Sequence, residues 1–123
     1  MFPEIRLQVP GIWSILVENE PYEEDTMLIT IQNDRLSLTV DTHGAQMMSI
    51  RSADGREYLW QGDPAIWPDR APNLFPVIGR LYGKEILVEG KKYPMGLHGF
   101  AWQAEFIPLV NEGNRLSLTL PPT

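Results

Sequence analysis

From Leu28 onward apolar and polar residues alternate, and a period of two marks extended strands rather than helices. Ile29 and Ile31 share one face of a first strand, and Asn33-Asp34 turns the chain. In Arg35–Asp41, Leu36, Leu38 and Val40 point one way while Arg35, Ser37, Thr39 and Asp41 point the other, the pattern of a half-buried antiparallel strand. Gly44 breaks that run as a bulge or tight bend, and Ala45–Ser52 resumes it. Asp54-Gly55 predicts a hairpin, because glycine supplies the positive φ that a type I′ turn needs. Glu57–Gln61 is its return strand, with Tyr58 and Trp60 on one face. Asp63-Pro64 places an N-cap before a proline at N1, which predicts a single helical turn through Trp67. Pro68, Pro72 and Pro76 exclude a central strand, so this stretch crosses the sheet as an irregular loop. Glu85–Glu89 and Lys91–Pro94 form a small hairpin around Gly90. Trp102–Val110 is a further strand, and Asn111-Glu112-Gly113-Asn114 turns the chain into Arg115–Leu120. No stretch longer than about 10 residues carries helical apolar spacing. The expected fold class is all-β, an antiparallel β-sandwich of seven or eight strands.

Two of these strands echo each other, Arg35-Leu36-Ser37-Leu38-Thr39-Val40 and Arg115-Leu116-Ser117-Leu118-Thr119-Leu120. Their flanks do not match, so they read as two solutions to one half-buried pattern rather than as a duplicated unit. Residues 1–26 differ from everything that follows. Pro3, Pro10 and Pro21 interrupt regular structure, Ile12–Val17 offers one short strand, and Pro21-Tyr22-Glu23-Glu24-Asp25 reads as an acidic linker. This leader is expected to lie outside the fold, with Met27 as the natural start of the domain.

Charge sharpens that division. The formal net charge is −6, yet the leader sets six acids against Arg6 alone, which leaves the other 97 residues near neutrality. There is no basic patch, which argues against nucleic acid as a partner. The apolar runs fall well short of the roughly 20 residues of a membrane helix. Gly11–Val17 is too short, and unfollowed by a small-residue cleavage site, to be a signal peptide. The absence of cysteine removes disulfides, thiolate nucleophiles and Cys-based metal sites, and it fits a cytoplasmic setting.

The candidate chemistry gathers in Ala71–Ala101, where an arginine and a histidine each sit beside glycine. Arg80 follows Val77-Ile78-Gly79, and its guanidinium can donate paired hydrogen bonds to hydroxyls, carboxylates or phosphates. On composition alone the favoured reading is a surface or ion-paired arginine. His98 lies between Leu97 and Gly99 and can hold or move a proton near neutral pH; the bland alternative is a structural histidine bonded to backbone. His43 sits in a turn and reads as solvated. The two histidines, 55 residues apart, do not have metal-ligand spacing. Trp60, Trp67, Phe75, Tyr82, Phe100 and Trp102 are candidates for stacking on a sugar ring, although most aromatics of a small β domain serve its core. Asp63 and Asp69 could pair as carboxylates for acid/base work, but Asp63 reads better as a cap and Asp69 as solvated.

Taken together these segments are far more specific than their parts. Ile31–Ala45, Asp54–Pro64, Ala71-Pro72-Asn73-Leu74-Phe75-Pro76-Val77-Ile78-Gly79-Arg80-Leu81 and Leu97-His98-Gly99-Phe100-Ala101 follow one another in an order that resembles the N-terminal part of the aldose 1-epimerase (galactose mutarotase) family, nearest its LacX-like branch. The likeness covers about residues 28–120 and leaves the leader out, so 27–123 is expected to be a partial β domain of that kind. The resemblance implies a large antiparallel supersandwich, and interconversion of the α and β anomers of an aldose with neither metal nor cofactor. It implies substrate-binding roles for Arg80 and His98, with Asn73 as a neighbouring position. The family's catalytic acid, a second histidine further downstream, and its base, a late glutamate, have no counterpart among the 25 residues after His98. Ring opening needs a proton removed at O1 and another delivered at O5, and each positioned acid or base contributes about 10²–10⁴-fold. The expectation is therefore an incomplete chain holding the substrate-binding half of a site and inactive by itself. Part of a supersandwich also exposes sheet edges through which it can self-associate. The rival expectations are a non-catalytic carbohydrate-binding module, a hexose-6-phosphate epimerase with Arg70 and Lys84 as phosphate cations, and an inert β fragment.

Overall fold

The computed structural model describes residues 26–122. The proposed leader strand Ile12–Val17 therefore lies outside the described residues. Within them the fold is antiparallel β, with seven strands: β1 Leu28–Gln32, β2 Leu36–Asp41, β3 Gln46–Ser52, β4 Glu85–Val88, β5 Lys91–Pro94, β6 Ile107–Glu112 and β7 Arg115–Thr119. Strands β1, β2 and β3 form one sheet in sequential order, while β4–β5 and β6–β7 are two-stranded hairpins.

The alternating pattern places Ile29 opposite Val40, and these two side chains are buried at the centre of the first sheet. Burial along β2 deepens from exposed Leu36 through half-buried Leu38 to Val40. The Asn33 turn is closed by its own side chain, whose Oδ1 accepts the N–H groups of Arg35 and Leu36 at 2.9 Å each. Thr42, 2% exposed, ties three segments together. Its Oγ1 accepts the Met27 N–H at 2.9 Å, its own N–H donates to the Met27 carbonyl, and its carbonyl accepts the Phe106 N–H at 2.9 Å. A buried polar group is tolerated on those terms, with its hydrogen bonds made.

Three sequence expectations change. Asp54-Gly55 does turn the chain, with Gly55 at φ +90°, but the return strand Glu57–Gln61 is reduced to a single bridge between Arg51 and Glu57. The Glu57 side chain is the reason. Its carboxylate accepts the backbone N–H groups of Ile50 at 2.8 Å and Leu59 at 3.0 Å, so side chain replaces backbone as acceptor and the ladder stops. The strand predicted at Trp102–Val110 begins only at Ile107, because Ala101–Gln103 forms a 3₁₀ turn. Strand β6 in turn runs on through Glu112, which leaves the reversal to Gly113-Asn114. The Asp63 cap is present: its Oδ1 accepts the Ala65 N–H at 2.9 Å and its carbonyl accepts the Trp67 N–H at 2.8 Å. No strand occurs between Gly62 and Leu81, as the prolines require.

The apolar core is small. Ile29, Val40, Met95 and Ala101 are buried, whereas eighteen large apolar side chains are exposed, Ile78 at 80% and Tyr82 fully. Single exposed apolar residues are ordinary, but this many in so short a stretch leaves the sheets with uncovered apolar faces. Among the described residues no helix is long and apolar enough to cross a membrane.

Candidate functional site

Sequence-distant loops meet at one end of the first sheet, and side chains hold them there. Opposite Thr39 and Val40 the β2–β3 register shifts, skipping Met48 as a bulged residue. The Met48 carbonyl, off the ladder, accepts Arg70 Nη1 at 2.6 Å and Gln61 Nε2 at 3.2 Å. Two residues earlier, Gln46 Oε1 accepts the backbone N–H groups of Arg70 at 2.8 Å and Ala71 at 3.1 Å. Asn73 Nδ2 donates to the carbonyls of Gly44 and Ala45, both at 2.8 Å. The proline-rich loop has no ladder of its own, and these polar side chains pin it to the start of β3.

The segment around His98 is clasped as firmly. Phe75 and Gly99 form a parallel bridge, and the Phe75 carbonyl accepts the N–H groups of Phe100 at 2.9 Å and Ala101 at 3.2 Å. A Cβ on Gly99 would lie 2.1 Å from the Phe75 oxygen, so only glycine permits this approach. Gly44 does the same for the next turn: its Cβ would lie 2.5 Å from the Trp102 carbonyl. The Phe75 and Phe100 rings meet edge to face at 6.0 Å.

His98 itself adopts φ +61°, a left-handed conformation that few non-glycine residues occupy. Two hydrogen bonds to Gly79 hold it: the His98 N–H donates to the Gly79 carbonyl at 2.8 Å, and the Gly79 N–H donates to His98 Nδ1 at 2.9 Å. A backbone N–H is always a donor, so Nδ1 must be the unprotonated ring nitrogen. The neutral imidazole then carries its proton on Nε2. The backbone-bonded reading of His98 is met at Nδ1, and Nε2 is left as a donor.

A cavity of about 480 Å³ opens beside this clasp, within the usual range of roughly 300–1,000 Å³ for small-molecule sites. Its polar lining residues are Asp69, Arg70 and His98; Trp67, Trp102, Leu74, Leu97, Ala71 and Pro72 supply the apolar wall. Trp67 and Trp102 are therefore the two of the six candidate aromatics that line it. Both are held in place: the Trp67 carbonyl accepts Trp60 Nε1 at 2.9 Å, and Trp102 Nε1 donates to the Leu97 carbonyl at 3.2 Å.

The predicted site residues are distributed unevenly around this cavity. His98 lines it. Asn73 lies between lining residues Pro72 and Leu74, with its amide committed to the sheet. Arg80 is exposed, one residue from the Gly79 clasp, and does not line the cavity. Asp69, read from sequence as solvated, is half-buried in the lining, because the Gln46 anchor at Arg70 and Ala71 pulls its stretch of loop against the sheet. No motif in the sequence announces Asp69; its proximity to His98 arises only when the loop is pinned. His43 stays in its turn, 3.6 Å from the Glu105 carboxylate.

The chain is similar to known proteins in both sequence and fold. The profile of the family Aldose 1-epimerase matches residues 27–123. The plasmid form of Protein LacX from Lactococcus lactis subsp. lactis is 38% identical over 102 residues, which cover 78% of this chain and 34% of that protein. A galactose mutarotase related enzyme from Lactobacillus acidophilus superposes with a TM-score of 0.73 at 37% identity, over 79% of this chain and 33% of that one. A galactose mutarotase-like protein from Lactobacillus casei ATCC 334 gives a TM-score of 0.69 at 33% identity, over 75% of this chain and 32% of that one. The chain thus spans about a third of the length of these relatives.

Proposed function

Because the chain belongs to the aldose 1-epimerase family, we propose that it carries the sugar-binding half of a site that interconverts the α and β anomers of an aldose. The observation that supports this best is the cavity beside the His98–Gly79 clasp, walled by Trp67 and Trp102. Pyranose rings present C–H faces that pack on indoles and hydroxyls that need fixed hydrogen-bond partners. His98 Nε2–H is such a donor. Its Nδ1 is bound to backbone and cannot change tautomer without breaking that bond, so the ring serves to bind and orient rather than to shuttle protons. Arg80 is the second binding group in this reading. Among the described residues its exposed guanidinium makes no hydrogen bond or ion pair, which leaves it available to a ligand that extends beyond the cavity lining. Asn73 acts indirectly, by fixing the loop that forms the wall.

Residues 1–123 alone supply no counterpart to the proton-transferring histidine and glutamate that the family resemblance implies. The chain by itself is therefore a binder without catalysis. Its uncovered apolar sheet faces favour self-association in the same reading. Calorimetric titration of the 123-residue chain with glucose or galactose tests the proposal, alongside polarimetry of freshly dissolved α-glucose. The expected outcome is sugar binding that weakens about tenfold or more in His98→Ala and Arg80→Ala, with mutarotation at the buffer rate. A rate clearly above buffer that disappears in His98→Ala would overturn the view that this half does not catalyse.

A further inference from the structure

We propose that Asp69 is a sugar-hydroxyl acceptor of this cavity and the residue that restricts it to uncharged sugars; the inference rests on the sugar-site reading above. The cavity wall brings together three polar side chains of different kinds. His98 offers a donor and, with Nδ1 taken by the Gly79 N–H, no acceptor. Arg70 is the cation of the wall, yet its Nη1 is turned to the protein, bonded to the Met48 carbonyl at 2.6 Å and to Gln61 Oε1 at 3.4 Å. Asp69 remains. It is half-buried, and among the described residues its carboxylate accepts no hydrogen bond and forms no ion pair, not even with adjacent Arg70.

Among the described residues no buried side-chain oxygen lacks a partner, so the Asp69 carboxylate is open to solvent, and a ligand that displaces that water must return hydrogen bonds to it. The ligand that fits is one that brings hydroxyl donors for Asp69 and a hydroxyl or ring-oxygen acceptor for His98 Nε2–H, with an apolar face for Trp67 and Trp102. An uncharged aldose meets all three conditions. A phosphorylated or carboxylated sugar does not: it brings a second anion beside Asp69, and the nearby Arg70 already commits Nη1 to Met48 and Gln61. Like charges in a partly desolvated site repel, so such a ligand is excluded by the acid rather than attracted by the arginine. This distinguishes the site from one built for hexose 6-phosphates.

The test uses the full chain, titrated with glucose and with glucose 6-phosphate, as wild type, Asp69→Ala and Asp69→Asn. Wild type should bind glucose and not glucose 6-phosphate. Asp69→Ala should lose about tenfold or more of the glucose affinity, the usual consequence of deleting a charged hydrogen-bond partner. Asp69→Asn keeps an acceptor oxygen and the side-chain shape, so it should retain more glucose affinity and newly admit glucose 6-phosphate. That gain of binding is a readout that misfolding cannot produce. Wild-type affinity for glucose in both variants would overturn the role of Asp69 while leaving the sugar site standing. Tight binding of glucose 6-phosphate by wild type would overturn the exclusion. No sugar binding by wild type would overturn the site reading, and this inference with it.

Discussion

The β4–β5 hairpin and the loop junction beside β3 solve the same problem, holding extended backbone in place, by different means. In the hairpin every residue but Ile86 is exposed, and beyond its own ladder it gains mainly surface contacts, such as the Lys92–Glu85 ion pair at 2.5 Å and Lys91 over the Tyr93 ring. In the junction Gln46, Asn73 and Arg70 reach across 22 to 29 residues of sequence to backbone groups, and two glycines allow carbonyls to approach closer than any side chain would permit. Hairpin backbone satisfies itself and asks little of its side chains. Proline-rich loop backbone has no ladder, so its polar groups are matched one by one, and that matching is what fixes a cavity wall. A loop positioned in this way on a rigid sheet is a usual place for a binding site.

Glycine makes the contrast measurable. Gly99 and Gly90 have nearly the same φ, +77° and +79°, but a Cβ on Gly99 would sit 2.1 Å from the Phe75 oxygen while one on Gly90 meets nothing within 4 Å. Gly99→Ala should be the most damaging single change. Left-handed backbone at a non-glycine residue costs roughly 1–3 kcal/mol, and displacing Phe75 from the clash adds about 1–3 kcal/mol more. The shift also moves His98 and Phe75, so sugar binding should fail together with stability. Chemical denaturation and a glucose titration read both losses; a folded Gly99→Ala chain with unchanged midpoint and affinity would break the comparison.

The attachment of the loop to β3 has a pH dependence of its own. Glu57 accepts Ser49 Oγ at 2.5 Å and two backbone N–H groups, and these bonds hold its carboxyl at about 2, below its ordinary 4.5; the Ser49 bond is the main cause and desolvation opposes it. A carboxylate whose value is lowered on folding stabilises the folded state fully above its unfolded value, and that contribution fades as pH falls. Stability from Glu57 should therefore be complete above pH 4.5 and decline between about 4.5 and 2. In Glu57→Gln the amide oxygen still accepts the Ile50 and Leu59 N–H groups, and nothing titrates. Wild type should be the more stable at pH 7, and the two midpoints should converge on acidification towards pH 2. A gap that widens as pH falls would show that the charge of Glu57 is not part of the attachment.

These cases also mark how far the sequence can be read. The period-two stretches Leu28–Gln32 and Leu36–Asp41, the Asn33 turn, the Gly90 hairpin and the Asp63 cap are local patterns, and local chemistry decides them. The return strand after Gly55 was not legible, because Glu57 competes with backbone through a side-chain contact that alternation does not encode. The start of β6 was hidden for a similar reason: the Gly44 N–H donates to the Ala104 carbonyl at 2.7 Å beside the Ala101–Gln103 turn, and the glycine leaves room for the Trp102 carbonyl 58 residues away in sequence. At the cavity, His98 could be singled out by its place in Leu97–Ala101, whereas Asp69 and the Trp67–Trp102 wall depend on side chains from β3 capturing a loop. Residues of distinctive chemistry can be spotted by type; residues brought together by placement need the fold.

The smallest effect belongs to Gly90→Ala, and it sharpens the comparison because the backbone demand is the same as at Gly99 and only the surroundings differ. The left-handed penalty of about 1–2 kcal/mol remains, but no atom has to move. The Met95 N–H to Lys84 carbonyl bond, at 2.8 Å, extends the hairpin's own ladder by one rung, and among the described residues β4 and β5 make no backbone hydrogen bond to another element. The cost should therefore appear as local opening rather than as global unfolding. Amide hydrogen exchange should quicken in Glu85–Val88 and Lys91–Pro94 by about tenfold, the factor that 1.4 kcal/mol supplies, while the amides of Arg70, Ala71 and Gly79 and the affinity for glucose stay as in wild type. Equal loss of protection in both regions would mean that hairpin and junction open as one unit, and the division between a self-sufficient ladder and a matched loop would fall.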